Sequence, residues 1–180
     1  MKFKIVTVVA TAAVLVLSVA AIWYLTPKRY NATLDGVYYQ LGEEGIIENV
    51  KLHLNGKLRN HINGKKSFKG VVDVKGEKVP QIPKDQAELM LHYTGENFGS
   101  IVSPFRVNDD SGSIAADMYF YGAAYINDAF SQFSIVLTND KDKQWTPTDG
   151  YMITAPAQNR EEAIQISQAL MKKFGTVIGD

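Results

Sequence analysis

The pattern of apolar and polar positions divides the chain into two unequal parts. Residues 5 to 25 form an uncharged block, and 21 residues at about 1.5 Å each give roughly 31 Å of helix, the thickness of a bilayer's hydrocarbon core. Lys2 and Lys4 precede the block, Trp23 and Tyr24 close it as rings that favour an interface would, and Pro27, Lys28 and Arg29 end it. This predicts a basic tail and transmembrane anchor over residues 1–29, with the span at 5–25. The competing reading is a signal peptide cut near Ala20, because Ser18-Val19-Ala20 offers small residues where a peptidase reads. Such a cut would leave the apolar end Ala-Ile-Trp-Tyr-Leu in water. A short basic tail ahead of a first span stays in the cytoplasm, so the pattern predicts a single-pass protein of the cell membrane with its C-terminal part outside.

From Leu34 the period becomes two, in short runs of Val, Ile, Tyr and Phe separated by Gly, Asn, Asp and Pro. Strands are predicted at 36–41, 47–54, 58–62, 68–75, 88–93, 100–107, 113–121, 132–138 and 151–154. The clearest stretch is residues 50 to 74, where Val50, Leu52, Leu54, Leu58, Ile62, Phe68, Val72 and Val74 all take even positions. Asn55-Gly56 and Asn63-Gly64 read as hairpin turns. A strict two-residue turn at Asn55-Gly56 would mix the faces, so an odd-length loop pairing Leu54 with Leu58 and Val50 with Ile62 is expected. One helix is predicted within 155–175: Asn159 as its cap, Glu162 completing a box-like cap, and Ala163, Ile166, Leu170 and Phe174 as the packed stripe. The expected fold class is α+β, mostly β. A transmembrane helix precedes one extracytoplasmic antiparallel domain, 30–180, sandwich- or barrel-like, with a C-terminal helix packed on it.

Composition adds two constraints. Hydrophobic residues at 46% and charged residues at 21% are those of a folded chain. Absence of cysteine removes disulfides, thiol catalysis, cysteine-zinc sites and iron-sulfur clusters. The net charge of zero conceals an asymmetry: residues 51–78 carry eight bases against two acids, and residues 79–180 carry seven against thirteen. In the expected register the odd positions Lys51, His53, Arg59, His61, Lys69 and Lys75 share an outward face. That face is a candidate surface for an anionic polymer or lipid headgroups. It lacks the interleaved aromatic rings that accompany basic grooves for nucleic acid, so no nucleic-acid partner is expected.

Candidate chemistry is sparse. His53, His61 and His92 have no metal-ligand spacing. The acidic segments 108–113 and 139–145 do not match a calcium loop, which needs glycine at its sixth position and glutamate at its twelfth. His92 with Ser100 or Ser103 lacks any nucleophile motif, and no P-loop or Gly-x-Gly-x-x-Gly is present. No cofactor and no catalytic or metal residue is therefore assigned. The short basic N-terminus, the single apolar block, "DGVYYQ", "KLHLNGKL", "KKSFKGVVDV" and the closing "APAQNREEAIQISQALM" together resemble a group of small single-pass hypothetical proteins of Gram-positive spore-forming bacteria. That resemblance carries no activity. The expected function is a tethered binding or accessory module using the basic meander 51–78. The alternatives are a docking subunit of a membrane complex using the aromatic stretch 118–130, or a small exported hydrolase.

Overall fold

The computed structural model describes residues 2–42, 47–82, 88–108, 114–138 and 145–179, with side chains of the first helix described from Ala10 onward. Helix α1 (Lys2–Leu25) leads into eight strands: β1 (Lys28–Gln40), β2 (Ile47–Asn60), β3 (Lys66–Lys75), β4 (Met90–Tyr93), β5 (Phe98–Asn108), β6 (Ile114–Ile126), β7 (Phe133–Leu137) and β8 (Tyr151–Ala155). Helix α2 (Arg160–Met171) and a single 3-10 turn (Lys172–Phe174) follow. Each strand pairs antiparallel with the next, and β8 returns to β1, so the sheet is a closed barrel. Stepping from partner to partner runs Lys28, Leu58, Phe68, Tyr93, Gly99, Ala124, Ile135, Ile153 and back to β1 at Tyr38, ten residues beyond the start. An eight-stranded barrel of this stagger has an interior that side chains can fill.

They fill it from both ends. At one end Phe130 packs 5.0 Å from the ring of Phe68, 5.0 Å from Phe133, 5.3 Å from Tyr30 and 5.4 Å from Tyr93. The turn before β7 aims Phe130 inward at a φ of 56°, and the Asn127 side-chain carbonyl accepts from the amides of Ser131 and Gln132 to hold that turn. At the other end Tyr38 stacks on Tyr151, Val79 is buried, and the Tyr121 hydroxyl donates to the Pro80 carbonyl at 3.2 Å. Burial, with lesser contributions from Tyr151 and Glu48, pushes the Tyr38 phenol up to about 12, and burial raises Tyr121 as well. The interior is thus a dry, neutral core.

A second core lies outside the barrel wall, where Ala163, Ile164, Leu170 and Met171 of α2 are buried and most of them pack on Val37, Tyr39 and Met152. Asn159 caps the helix, its side chain accepting from the Glu162 amide, and Glu162 accepts from the Gln158 amide. The packed stripe differs from the expected one. Ile166 is only partly buried, Phe174 is exposed, and Ser167 is wholly buried. Ser167 belongs there because the Ser134, Thr154 and Tyr39 hydroxyls lie 2.7, 2.7 and 2.9 Å from its own, so each polar group loses water but gains a partner.

Several expectations are corrected here. The α+β class behind a transmembrane helix gives way to a closed eight-stranded antiparallel barrel with a short C-terminal helix. The apolar block is helical, yet among the described residues no helix is long and apolar enough to cross a membrane. A single-pass anchor at 5–25, and the cell-membrane location inferred from it, are therefore not supported. The Ser18-Val19-Ala20 segment sits inside that same unbroken helix.

Strand β1 begins at Lys28, so Lys28 and Arg29 belong to the barrel and not to a membrane rim. Asn55-Gly56 is no turn. Residues 47–60 form one continuous strand, with Leu54 opposite Val72 and Leu58 opposite Phe68. The even-position pattern holds because the strand continues, not because an odd loop resets it. Ile62, expected inward, is 90% exposed beyond the strand's end.

Gly56 has another task. It faces Gly70 across β2 and β3, and a Cβ on Gly56 would meet the Gly70 Cα at 2.6 Å and the Phe68 ring at 2.8 Å. The two glycines let the strands close around the aromatic plug. Gly56→Ala is expected to lower unfolding free energy by about 1–3 kcal/mol through overpacking, measured by denaturant titration. Were Asn55-Gly56 an exposed turn, the change would be far smaller.

Candidate anion-binding face

Closure of the barrel aligns outward positions as strictly as inward ones. Successive partners across four strands are Arg29 on β1, Lys57 on β2, Lys69 on β3 and His92 on β4. All four are exposed, and directly opposed side chains in an antiparallel pair stand about 4.5–5.5 Å apart at their Cβ atoms. Among the described residues, none of the four has an ion pair or a side-chain hydrogen bond. Arg59, two residues beyond Lys57 on the same face, adds a further cation. Like charges placed opposite one another destabilise a sheet, so this row is maintained against a cost.

The six residues expected to share the face do lie on β2, β3 and the turn between them, but they divide into two groups. Lys51 and Lys75 are cross-strand partners; Lys51 pairs with Asp35 at 2.6 Å and Lys75 approaches Asp73 at 3.9 Å. His53 lies one rank along, opposite Asp73 on β3 and Thr33 on β1, its Nδ1 at 2.8 Å from the Thr33 hydroxyl. This half of the face is neutralised. It borders a cleft of about 470 Å³ lined by Asp35, Asn49, Lys51, Lys75 and Gln158. Arg59 and Lys69 lie at the other end, where no acid answers them among the described residues. His61 stands past the strand, its Nε2 at 2.8 Å from the Ser67 hydroxyl.

Arg59 has a structural duty as well. Its Nε donates to the Leu25 carbonyl at 3.1 Å, and the Asn60 side-chain Nδ2 donates to the Tyr24 carbonyl at 3.4 Å. These bonds satisfy carbonyls that the last turn of α1 leaves open. Lys28 lies 3.2 Å from the Trp23 ring centroid, a cation-π contact that ties the helix to the first strand. The uncompensated cations and the root of α1 therefore occupy one end of the barrel.

Arg29, Lys57 and His92 were missed by the sequence reading for separate reasons. Arg29 reads as part of a membrane rim, Lys57 falls in the expected Asn55-Gly56 loop, and His92 invites attention only as a metal ligand or a catalytic partner. The signal that finds them is parity: once β2 is unbroken, Lys57 joins Lys51 and Arg59 on the odd face.

No protein-family model, curated protein or solved structure matches the chain. The reading of the site accordingly rests on its own geometry. His92 faces outward opposite Ser100, whereas Ser103 is wholly buried, so the histidine and that serine are not brought together. Among the described residues no cluster of three or more acidic or histidine side chains could hold a metal. The greater part of both acidic segments, 109–113 and 139–144, lies outside the described residues.

The row should register in stability. Replacing Lys57 and Lys69 together by Gln is expected to raise unfolding free energy by about 0.2–1 kcal/mol at low salt, with the gain shrinking as salt screens the repulsion. Thermal unfolding across a salt series measures it, and a loss of stability would show that these lysines are paired after all.

Proposed function

We propose that this chain is a binding or accessory module that engages an anionic partner through the outer face of β1–β4, at the end of the barrel where α1 is rooted. The observation that carries the reading is the row Arg29, Lys57, Lys69 and His92, four neighbouring exposed groups of basic type with no compensating acid among the described residues. Two others support it. The barrel interior is plugged at both ends, which leaves the outer surface as the place for a ligand. No ion pair among the described residues includes Lys57 or Lys69, unlike Lys51 and Lys75.

A second reading has its own observation. Beyond the barrel, β5 and β6 continue as a hairpin in which Met118 is 61% and Ile114 67% exposed, with Phe120 and Pro104 exposed on the same face. That surface suits a protein partner better than an anion. Part of the aromatic stretch expected there is core instead, since Tyr121, Ala124, Ile126 and Phe130 are buried.

Retention of the full chain on phosphocellulose, at low and high salt, tests the first reading. Near an anionic surface each lysine is worth about 1 kcal/mol, so Lys57→Gln with Lys69→Gln should weaken binding by about 30-fold. Lys51→Gln with Lys75→Gln, an equal change in net charge, should weaken it much less. Retention indifferent to salt and to both pairs would contradict the anion reading.

A further inference from the structure

The anionic partner has a shape that the row itself restricts. Arg29, Lys57, Lys69 and His92 sit on four consecutive strands, so the row spans three strand intervals of about 4.8 Å, roughly 14 Å. It does not run along a flat sheet. In an eight-stranded barrel with strands tilted about 40°, a path perpendicular to the strands over that distance turns through roughly 70°. Side chains at the two ends of the row thus point in clearly different directions, around a convex wall. A planar charged surface reaches one end or the other. A flexible chain can follow the whole row.

The surroundings narrow the choice further. Along the strands, the next outward partners are Asn31, Asn55, Val71 and Met90, and the rank beyond is Thr33, His53 and Asp73. Positive charge therefore fades within two ranks on that side and ends at the Asp35–Lys51 and Asp73–Lys75 pairs. The cationic zone is a band one or two residues wide and four strands long, with Arg59 on its far border. A band of that outline matches a line of anionic groups laid across the strands, not an area of them. Tyr30 and Phe68, the rings that alternate with the band on β1 and β3, point into the barrel and pack on Phe130, and the exposed rings Trp23 and Tyr24 belong to α1, so the row on the four strands carries no interleaved rings of its own for stacking bases.

Resting on the reading above, we infer that the ligand is a flexible linear polyanion of repeating phosphate or comparable groups, wrapped across β1–β4 along Arg29, Lys57, Lys69 and His92. It binds through its charges, independently of the identity of the units between them. The permanent cations Arg29, Lys57, Arg59 and Lys69 then set the salt dependence. For a single-stranded polyanion log K falls with log salt by about 0.7 per cation contacted, which gives a slope of roughly −3 here.

The test uses the full chain with linear inorganic polyphosphates of graded length, pyrophosphate upward, and in parallel with vesicles of phosphatidylglycerol in phosphatidylcholine. Affinity is expected to rise at least tenfold as the polyphosphate lengthens until it spans the row, then to level off. The salt slope should fall to about half in Lys57→Gln with Lys69→Gln and stay unchanged in Lys51→Gln with Lys75→Gln. Both double variants keep the wild-type circular dichroism if the fold is intact. Tighter binding per accessible phosphate to vesicles than to the longest polymer would overturn the linear ligand and leave the anion-binding reading standing. So would affinity without length dependence, whereas equal losses from the two double variants would overturn the row as the site. Absence of salt-sensitive binding to both probes would remove the anion-binding reading itself.

Discussion

Closure of the sheet is the constraint on which the rest of the structure depends. Because β8 pairs with β1 after a ten-residue offset, the barrel has one inside, and the parity of every strand is locked to that of its neighbours. A one-residue slip in any strand would turn its core residues to water. The same locking brings Gly56 against Gly70, which gives the aromatic plug around Phe130 its room. It also brings Arg29, Lys57 and Lys69 into line on the outside. Core and charged row are two consequences of one register.

Much of the β-rich character could be read in the sequence, since alternation from Val50 to Val74 reports a half-buried sheet directly. The Asn159 cap and the Asn63-Gly64 turn could be read too, because each is a local device with a local signal; Gly64 adopts a φ of 78°. What could not be read was long-range. Asn55-Gly56 carries the composition of a turn, but the strand runs through it because Gly56 is needed for close approach to a strand paired later in the chain. Ser167 looks like a polar break in an apolar stripe until Ser134 and Thr154, brought there by the barrel, supply its partners.

The uncharged N-terminal block shows the limit of counting. Its composition announces a helix, and α1 is one. Its length promised a membrane span, which the described residues do not support. Taking Lys28 and Arg29 as the end of that span also hid Arg29 from the face it shares with Lys57. The charge excess over residues 51–78 was visible, but not its division. The pairing of Lys51 with Asp35, of Lys65 with Glu96 and of Lys75 with Asp73 shows that part of this charge is answered locally. Exposed pairs of that kind add little stability. Their effect is to leave Arg29, Lys57 and Lys69 as cations without an ion pair among the described residues.

The cross-strand row at the α1 end of the barrel is the proposed binding site of the anionic partner. Backbone amide shifts of the isotopically labelled full chain, followed by NMR during titration with a long linear polyphosphate, test it most directly. The largest changes are expected at Arg29, Lys57, Lys69 and His92, with small changes at Lys51 and Lys75. Changes centred on Met118 and Phe120 of the protruding hairpin, or spread evenly over every lysine, would contradict it.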